Sequence, residues 1–156
     1  MTDLDFSRMI TAQIAARPDL PSRSAALAEV LATIPDPQAR FGWLIEQART
    51  RPLLPAELRR DEYRVPGCQV RLWFVPDYRD GCCWFQLDSD AVSLKAIGGL
   101  ICDFYHGQPP AAILENAPEF LNELNLGTNL AESRRRTVWR VREMIRDFAR
   151  QHIPPP

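Results

Sequence analysis

The 156-residue sequence predicts an α+β domain: one small antiparallel hairpin, packed by helices that come before and after it in the chain. Three observations carry that prediction. Only the stretch 69–89 combines β-branched and aromatic residues with flanking turn signals. Apolar residues at helical spacing fill the segments on both sides of it. The two strands are joined by a short connection, which makes them neighbours in an antiparallel pair rather than parts of a wound α/β sheet.

Taken in order, residues 1–22 form an N-terminal extension, loose or partly helical, because Pro18 and Pro21 end any helix begun by "LDFSRMITAQI". "SRSAALAEVLATI", 22–34, reads as a helix capped by Ser22 or Ser24 and broken by Pro35 and Pro37. "QARFGWLIEQART", 38–50, sets Phe41, Leu44, Ile45 and Ala48 on one stripe. A charged, proline-containing surface connection, 51–63, leads to the strand "QVRLWFV", 69–75. "PDYRDG" then makes the hairpin connection and "CCWFQLDS", 82–89, returns as the second strand.

Ser89 or Asp90 can cap the next helix, on which Val92, Ala96, Leu100 and Phe104 share a face. Gly98 and Gly99 cost that helix about 1 kcal/mol each, which signals close packing against their backbone. Gly107 and the prolines after it end the helix. Short helical pieces follow in "PPAAILEN" and "PEFLNELNL". A long final helix over 133–151 turns Val138, Val141, Ile145 and Phe148 inward, and 152–156 is a proline-rich tail.

A chain that is 46% apolar and 25% charged can bury a full core without disulfide or metal staples. Its formal net charge of -1 supplies no general attraction to nucleic acid or to an anionic membrane. No stretch reaches the roughly 18 apolar residues of a membrane span, and the first residues lack a signal-peptide pattern. A cytoplasmic location with reduced thiols is the expectation. Cys68, Cys82, Cys83 and Cys102 form no C-x-x-C pair and no cluster with His106 or His152, so no metal site is expected. Cys102 fits a helix core, Cys82 and Cys83 point to opposite strand faces, and His106 suits a helix C-terminus as a cation. Cys68 is different. It follows Pro66 and Gly67 on a turn, with Arg64 and Arg71 on either side.

"RVPGCQVRLW", "DSDAVSLKAIGGLICDFYHGQPPAAI" and "LGTNLAESRRRTVWRVREMI", in this order and spacing, resemble the SufE/CsdE family of cysteine-desulfurase sulfur acceptors, from about Pro35 to Arg146. The resemblance implies a compact fold similar to scaffold proteins of the IscU type, spanning 23–151 here. It implies that Cys68, between Gly67 and Gln69, receives sulfane sulfur from the persulfide of a desulfurase of the SufS/CsdA type. The desulfurase holds the pyridoxal phosphate, so this chain needs no cofactor, and iron–sulfur scaffold proteins stand downstream. "LDSDA", 87–91, matches the family's "GDSDA" segment, which suggests partner contacts at Asp88 and Asp90. At 133–137, Ser133 and Arg134 match the family pattern, while Arg135, Arg136 and Thr137 depart from it.

Persulfide transfer is thiol exchange, in which an accessible thiolate attacks a sulfur and another thiolate leaves. A nearby guanidinium favours the ionised form, which makes Arg64, Arg71 and Arg134 candidates to support Cys68. The run Arg134–Arg136 at a helix start opposes the helix dipole and hints at acidic contacts such as Asp88 or Asp90. Two other readings remain open at this level. One is a non-catalytic binder of a desulfurase or scaffold. The other, an autonomous thiol enzyme, is disfavoured by the shortage of histidine bases.

Overall fold

The structure, a computed structural model, describes residues 17–155; the part of the extension before Arg17 lies outside them. The first helix of the described residues, α1, spans Leu20–Ala32 and so begins inside the expected extension. Asp19, not a serine, caps it by accepting a hydrogen bond from the Ser22 amide at 2.8 Å. Pro21 sits in the first turn, where its missing N–H has no intrahelical partner to lose. The same logic repeats in α2, Pro37–Thr50, which Asp36 caps and Pro37 opens. Pro21 and Pro37, read as helix breakers, are helix starters here. Arg23 docks α1: it is 7% exposed, and its guanidinium donates to the carbonyls of Phe104 and His106 at 3.1 and 2.7 Å.

After a 3-10 turn over Asp61–Tyr63 come β1, Leu72–Arg79, and β2, Cys82–Ser89. They pair antiparallel, from Leu72 opposite Ser89 to Arg79 opposite Cys82. Asp80 and Gly81, at φ 54° and 75°, make the whole connection, the two-residue turn with both central residues left-handed. Most of the expected "PDYRDG" loop is therefore strand. Pro76 is tolerated within β1 because a two-stranded sheet has only edges, where a missing N–H can face away from the partner.

The helix α3, Val92–Tyr105, is buried along most of its length and packs on β2 and on α2. An added Cβ on Gly98 would stand 3.0 Å from Leu87 Cδ1, and one on Gly99 would stand 3.0 Å from Arg51 Nη1, which is the close packing their presence predicts. Gly107, at φ 76°, ends the helix as expected. Its start has no side-chain cap at Ala91; instead Ser89 Oγ accepts from the Ala91 amide at 3.1 Å and donates to the Arg71 carbonyl at 2.7 Å.

Two short helices, α4 (Pro110–Glu115) and α5 (Phe120–Glu123), lead to the long α6, Glu132–Gln151. One core joins Phe74 and Phe85 of the hairpin to Ile97, Ile101 and Phe104 of α3 and to Val141 and Ile145 of α6. The other face of β1 closes a small second cluster, in which Trp73 and Val75 meet Leu54. Among the described residues, no helix is long and apolar enough to cross a membrane.

Candidate functional site

The turn that carries Cys68 is a closed loop. The Val65 amide donates to the Leu72 carbonyl at 2.8 Å, and Arg64 bridges Trp73, so residues 66–71 bulge out just before β1. This is why β1 starts at Leu72 rather than at residue 69. Gly67 holds φ 79°, a left-handed conformation that a side chain would strain. Arg140 lies across the glycine and donates from Nη1 to the Pro66 carbonyl; a Cβ on Gly67 would come within 2.6 Å of that nitrogen. Cys68 itself is half-buried, leaning against the core while its thiol stays reachable.

The thiol opens into a cavity of about 470 Å³ between this turn and the first two turns of α6. Gln69 and Val70 continue the wall on the turn side, and Ser133, Arg134, Arg136, Thr137 and Arg140 face them from α6. Leu94 of α3 closes the inner end. Thr137 Oγ1 stands 3.8 Å from Cys68 Sγ and donates to the Ser133 carbonyl at 3.1 Å. Arg134 is steered by Ser93 of α3, whose Oγ accepts from Nη1 at 2.6 Å.

Of the arginines proposed from sequence, only Arg134 lines the cavity. Arg64 is exposed and contributes its backbone to the loop closure. Arg71 pairs with Asp90 at 2.6 Å and lies 5.6 Å from the Trp73 ring centroid. Arg136 and Arg140, together with Thr137, are neighbours of the thiol's cavity that local sequence does not announce. Their signal is spacing: from Ser133 onward, every third or fourth residue of a helix shares one face.

The two acidic residues part company. Asp90 is exposed, whereas Asp88 is 2% exposed and so does not sit in an open loop. Its carboxylate accepts from the amides of Leu54 and Ser89 at 3.0 and 2.8 Å and pairs with Lys95 Nζ at 3.3 Å. Burial is tolerated because the charge is paired and both oxygens accept a hydrogen bond. Neither acid meets the arginine run: Arg136 pairs with Glu132 one turn back on its own helix.

The remaining thiols are placed for packing. Cys83 is fully buried, and burial above all, then the nearby Cys82, pushes its pKa up to about 11. Burial likewise raises that of Cys102, with Asp103 adding to the effect. Cys82 is half-buried at the far end of the hairpin from the Cys68 loop. His106 does stand at the helix end, but burial lowers its pKa, although Asp103 works the other way, and Nδ1 lies 3.2 Å from the Phe85 amide and 3.1 Å from the Phe85 carbonyl. Among the described residues, no group of three or more His, Cys, Asp or Glu gathers as metal ligands do.

Comparison with known proteins agrees with this architecture. A SufE family model, described as an Fe-S metabolism associated domain, matches residues 25–149, reaching further toward the N-terminus than the motifs alone. A SufE-like protein of Synechocystis is 26% identical over 136 residues, covering 87% of this chain and 86% of that one. A SufE-like protein of Rhizobium etli is 30% identical over 117 residues, 69% of this chain and 79% of its own. The chloroplastic/mitochondrial SufE-like protein 1 of Arabidopsis thaliana is 25% identical over 119 residues, but this chain spans only 32% of its length. A hypothetical protein of Thermus thermophilus, solved in solution, shares the fold with a TM-score of 0.65 at 23% identity, covering 83% of this chain and 94% of that one. The chain belongs to the SufE family of iron–sulfur metabolism.

Proposed function

We propose that this protein is a sulfur acceptor: Cys68 takes sulfane sulfur as a persulfide from a partner cysteine desulfurase, stimulates that enzyme, and relays the sulfur to iron–sulfur cluster assembly. The observation that supports it most is the setting of Cys68, a half-buried thiol on a turn, facing a cavity that α6 lines with guanidinium groups. In the transfer, the Cys68 thiolate attacks the outer sulfur of the donor persulfide, and the donor cysteine leaves as a thiolate. The turn suits this role because it bulges out between the backbone contact of Val65 with Leu72, where its tip can present sulfur to another protein. Arg134, Arg136 and Arg140 complement the anions on both sides of the exchange. Pyridoxal phosphate belongs to the partner in this scheme, and this chain contributes the thiol alone. All four cysteines are free, as a relay working in the reducing cytoplasm requires.

Incubation with a cysteine desulfurase and cysteine should add about 32 Da, one sulfur, to the protein, read by mass spectrometry of the intact chain and its peptides. The adduct should map to Cys68 and vanish in Cys68→Ser. An adduct that persists in that variant sinks the assignment. Undiminished stimulation of the desulfurase by Cys68→Ser would instead make the protein a non-catalytic binder.

A further inference from the structure

The cavity at Cys68 concentrates positive charge. Arg134, Arg136 and Arg140 all line it, and no Asp or Glu is among the lining residues. This concentration occurs in a chain whose formal net charge is -1. Two of the three guanidinium groups are anchored by uncharged oxygens, Arg134 by Ser93 Oγ and Arg140 by the Pro66 carbonyl. Glu132, which pairs with Arg136, is exposed and stands outside the lining. A guanidinium has five N–H donors in a planar fork that matches the geometry of an oxyanion. Each anchored arginine thus has donors beyond the one that fixes it.

We infer that this cavity also binds a small sulfane-sulfur donor whose leaving group is an oxyanion, thiosulfate being the simplest, so that Cys68 is loaded without a partner protein. The inference rests on the reading of Cys68 as a persulfide carrier and adds a second source of sulfur. The Cys68 thiolate attacks the outer sulfur of thiosulfate, a new S–S bond forms, and the bond to the sulfonate sulfur breaks. Sulfite leaves with the electron pair: Cys68–S⁻ and S₂O₃²⁻ give Cys68–S–S⁻ and SO₃²⁻. No oxidant, reductant or proton is needed. The guanidinium groups hold the sulfonate in the ground state and receive the charge that builds on it as sulfite departs. A protein persulfide has no such dianionic leaving group, which is why the arginine cluster favours the small donor.

The test uses the intact protein alone, with thiosulfate as donor and cyanide as trap; cyanide removes the outer sulfur as thiocyanate and regenerates the thiolate. Thiocyanate should form with saturable dependence on thiosulfate and should fall to background in Cys68→Ser. Arg136→Met and Arg140→Met should each raise the KM for thiosulfate about tenfold with a smaller change in kcat, the size expected for a lost charge-assisted contact. Arg140→Lys should restore part of the loss, and sulfate should compete with thiosulfate. Absence of thiocyanate above the Cys68→Ser background, while a desulfurase and cysteine still load Cys68, overturns this inference and leaves the proposed function standing. An unchanged KM in both methionine variants also overturns it. If neither route loads Cys68, the proposed function falls as well.

Discussion

Cys68 and Cys102 carry the same functional group in opposite surroundings. Cys68 sits on a six-residue bulge with a left-handed glycine before it and an arginine-lined cavity in front. Cys102 sits in the last turn of α3, 2% exposed, where burial favours the neutral thiol. Cys83, fully buried on β2, resembles Cys102. The contrast teaches that position, not residue type, separates a working thiol from a packing one. The core side is closed by apolar contact. The mouth is held by hydrogen bonds instead, at Val65, at Arg71 and at the Pro66 carbonyl.

Alkylation is the strongest way to break that contrast. With iodoacetamide under native conditions, Cys68 should react at least about a thousandfold faster than Cys102 or Cys83, because those must wait for an opening that costs several kcal/mol. Site-resolved mass spectrometry reads the rates. Comparable rates for Cys68 and Cys102 would mean that the core around α3 is not closed as described.

Alkaline titration gives the next largest effect. Unfolded, the Cys83 thiol ionises near 9.0; folded, near 11. The folded value is the raised one, so the contribution is complete below about pH 9 and disappears as pH climbs through about 11. Over that window stability should fall by about 2 kcal/mol from this group, followed by urea unfolding. Cys83→Ala should be less stable at neutral pH yet show a shallower alkaline decline.

Two left-handed glycines sharpen the comparison further. Gly67 and Gly107 have nearly the same φ, 79° and 76°, so alanine at either incurs about 1 kcal/mol or more of backbone strain. Their neighbours differ. At Gly107 the new Cβ meets the Trp84 ring at 3.2 Å, packed against β2, whereas at Gly67 it meets the movable end of Arg140. Gly107→Ala should therefore lose about 2 kcal/mol in urea unfolding with sulfur loading of Cys68 little changed. Gly67→Ala should lose about half as much stability but load markedly more slowly, because Arg140 and the turn are displaced together. Equal loading rates would show that the turn conformation does not govern the thiol.

Much of this division was legible in the residues. The proline–glycine turn before Cys68 and the apolar surroundings of Cys102 are local signals, and they point the right way. The hairpin follows from its β-branched and aromatic content between turn signals, and the inner stripe of α6 from its helical period. What local pattern cannot supply is contact across the fold. Asp88 looks like an exposed cap until Leu54, distant in sequence, and Lys95 from the first turn of α3 close over it. Thr137 and Arg140 come beside the 66–68 turn only because α6 packs back across α3. Pro21 and Pro37 show a subtler limit, since the same residue that ends a helix also starts one, and the aspartate just ahead of each decides nothing until its side chain finds an amide.

Arg71 provides the finest distinction at the mouth. Sequence neighbourhood puts it three residues from Cys68, yet its guanidinium is turned toward Asp90 and Trp73 and away from the cavity lining. Both partners of that ion pair are exposed, a setting in which water and salt screen most of the attraction. Arg71→Ala should thus change stability by no more than about 0.5 kcal/mol, and the rate of sulfur loading onto Cys68 by less than about twofold. Arg134→Met removes a guanidinium that does line the cavity, and its loading should slow by clearly more than that. If the Arg71 variant proves the slower of the two, the turn must rearrange when the partner docks, and the free-state cavity is not the one in which sulfur is transferred.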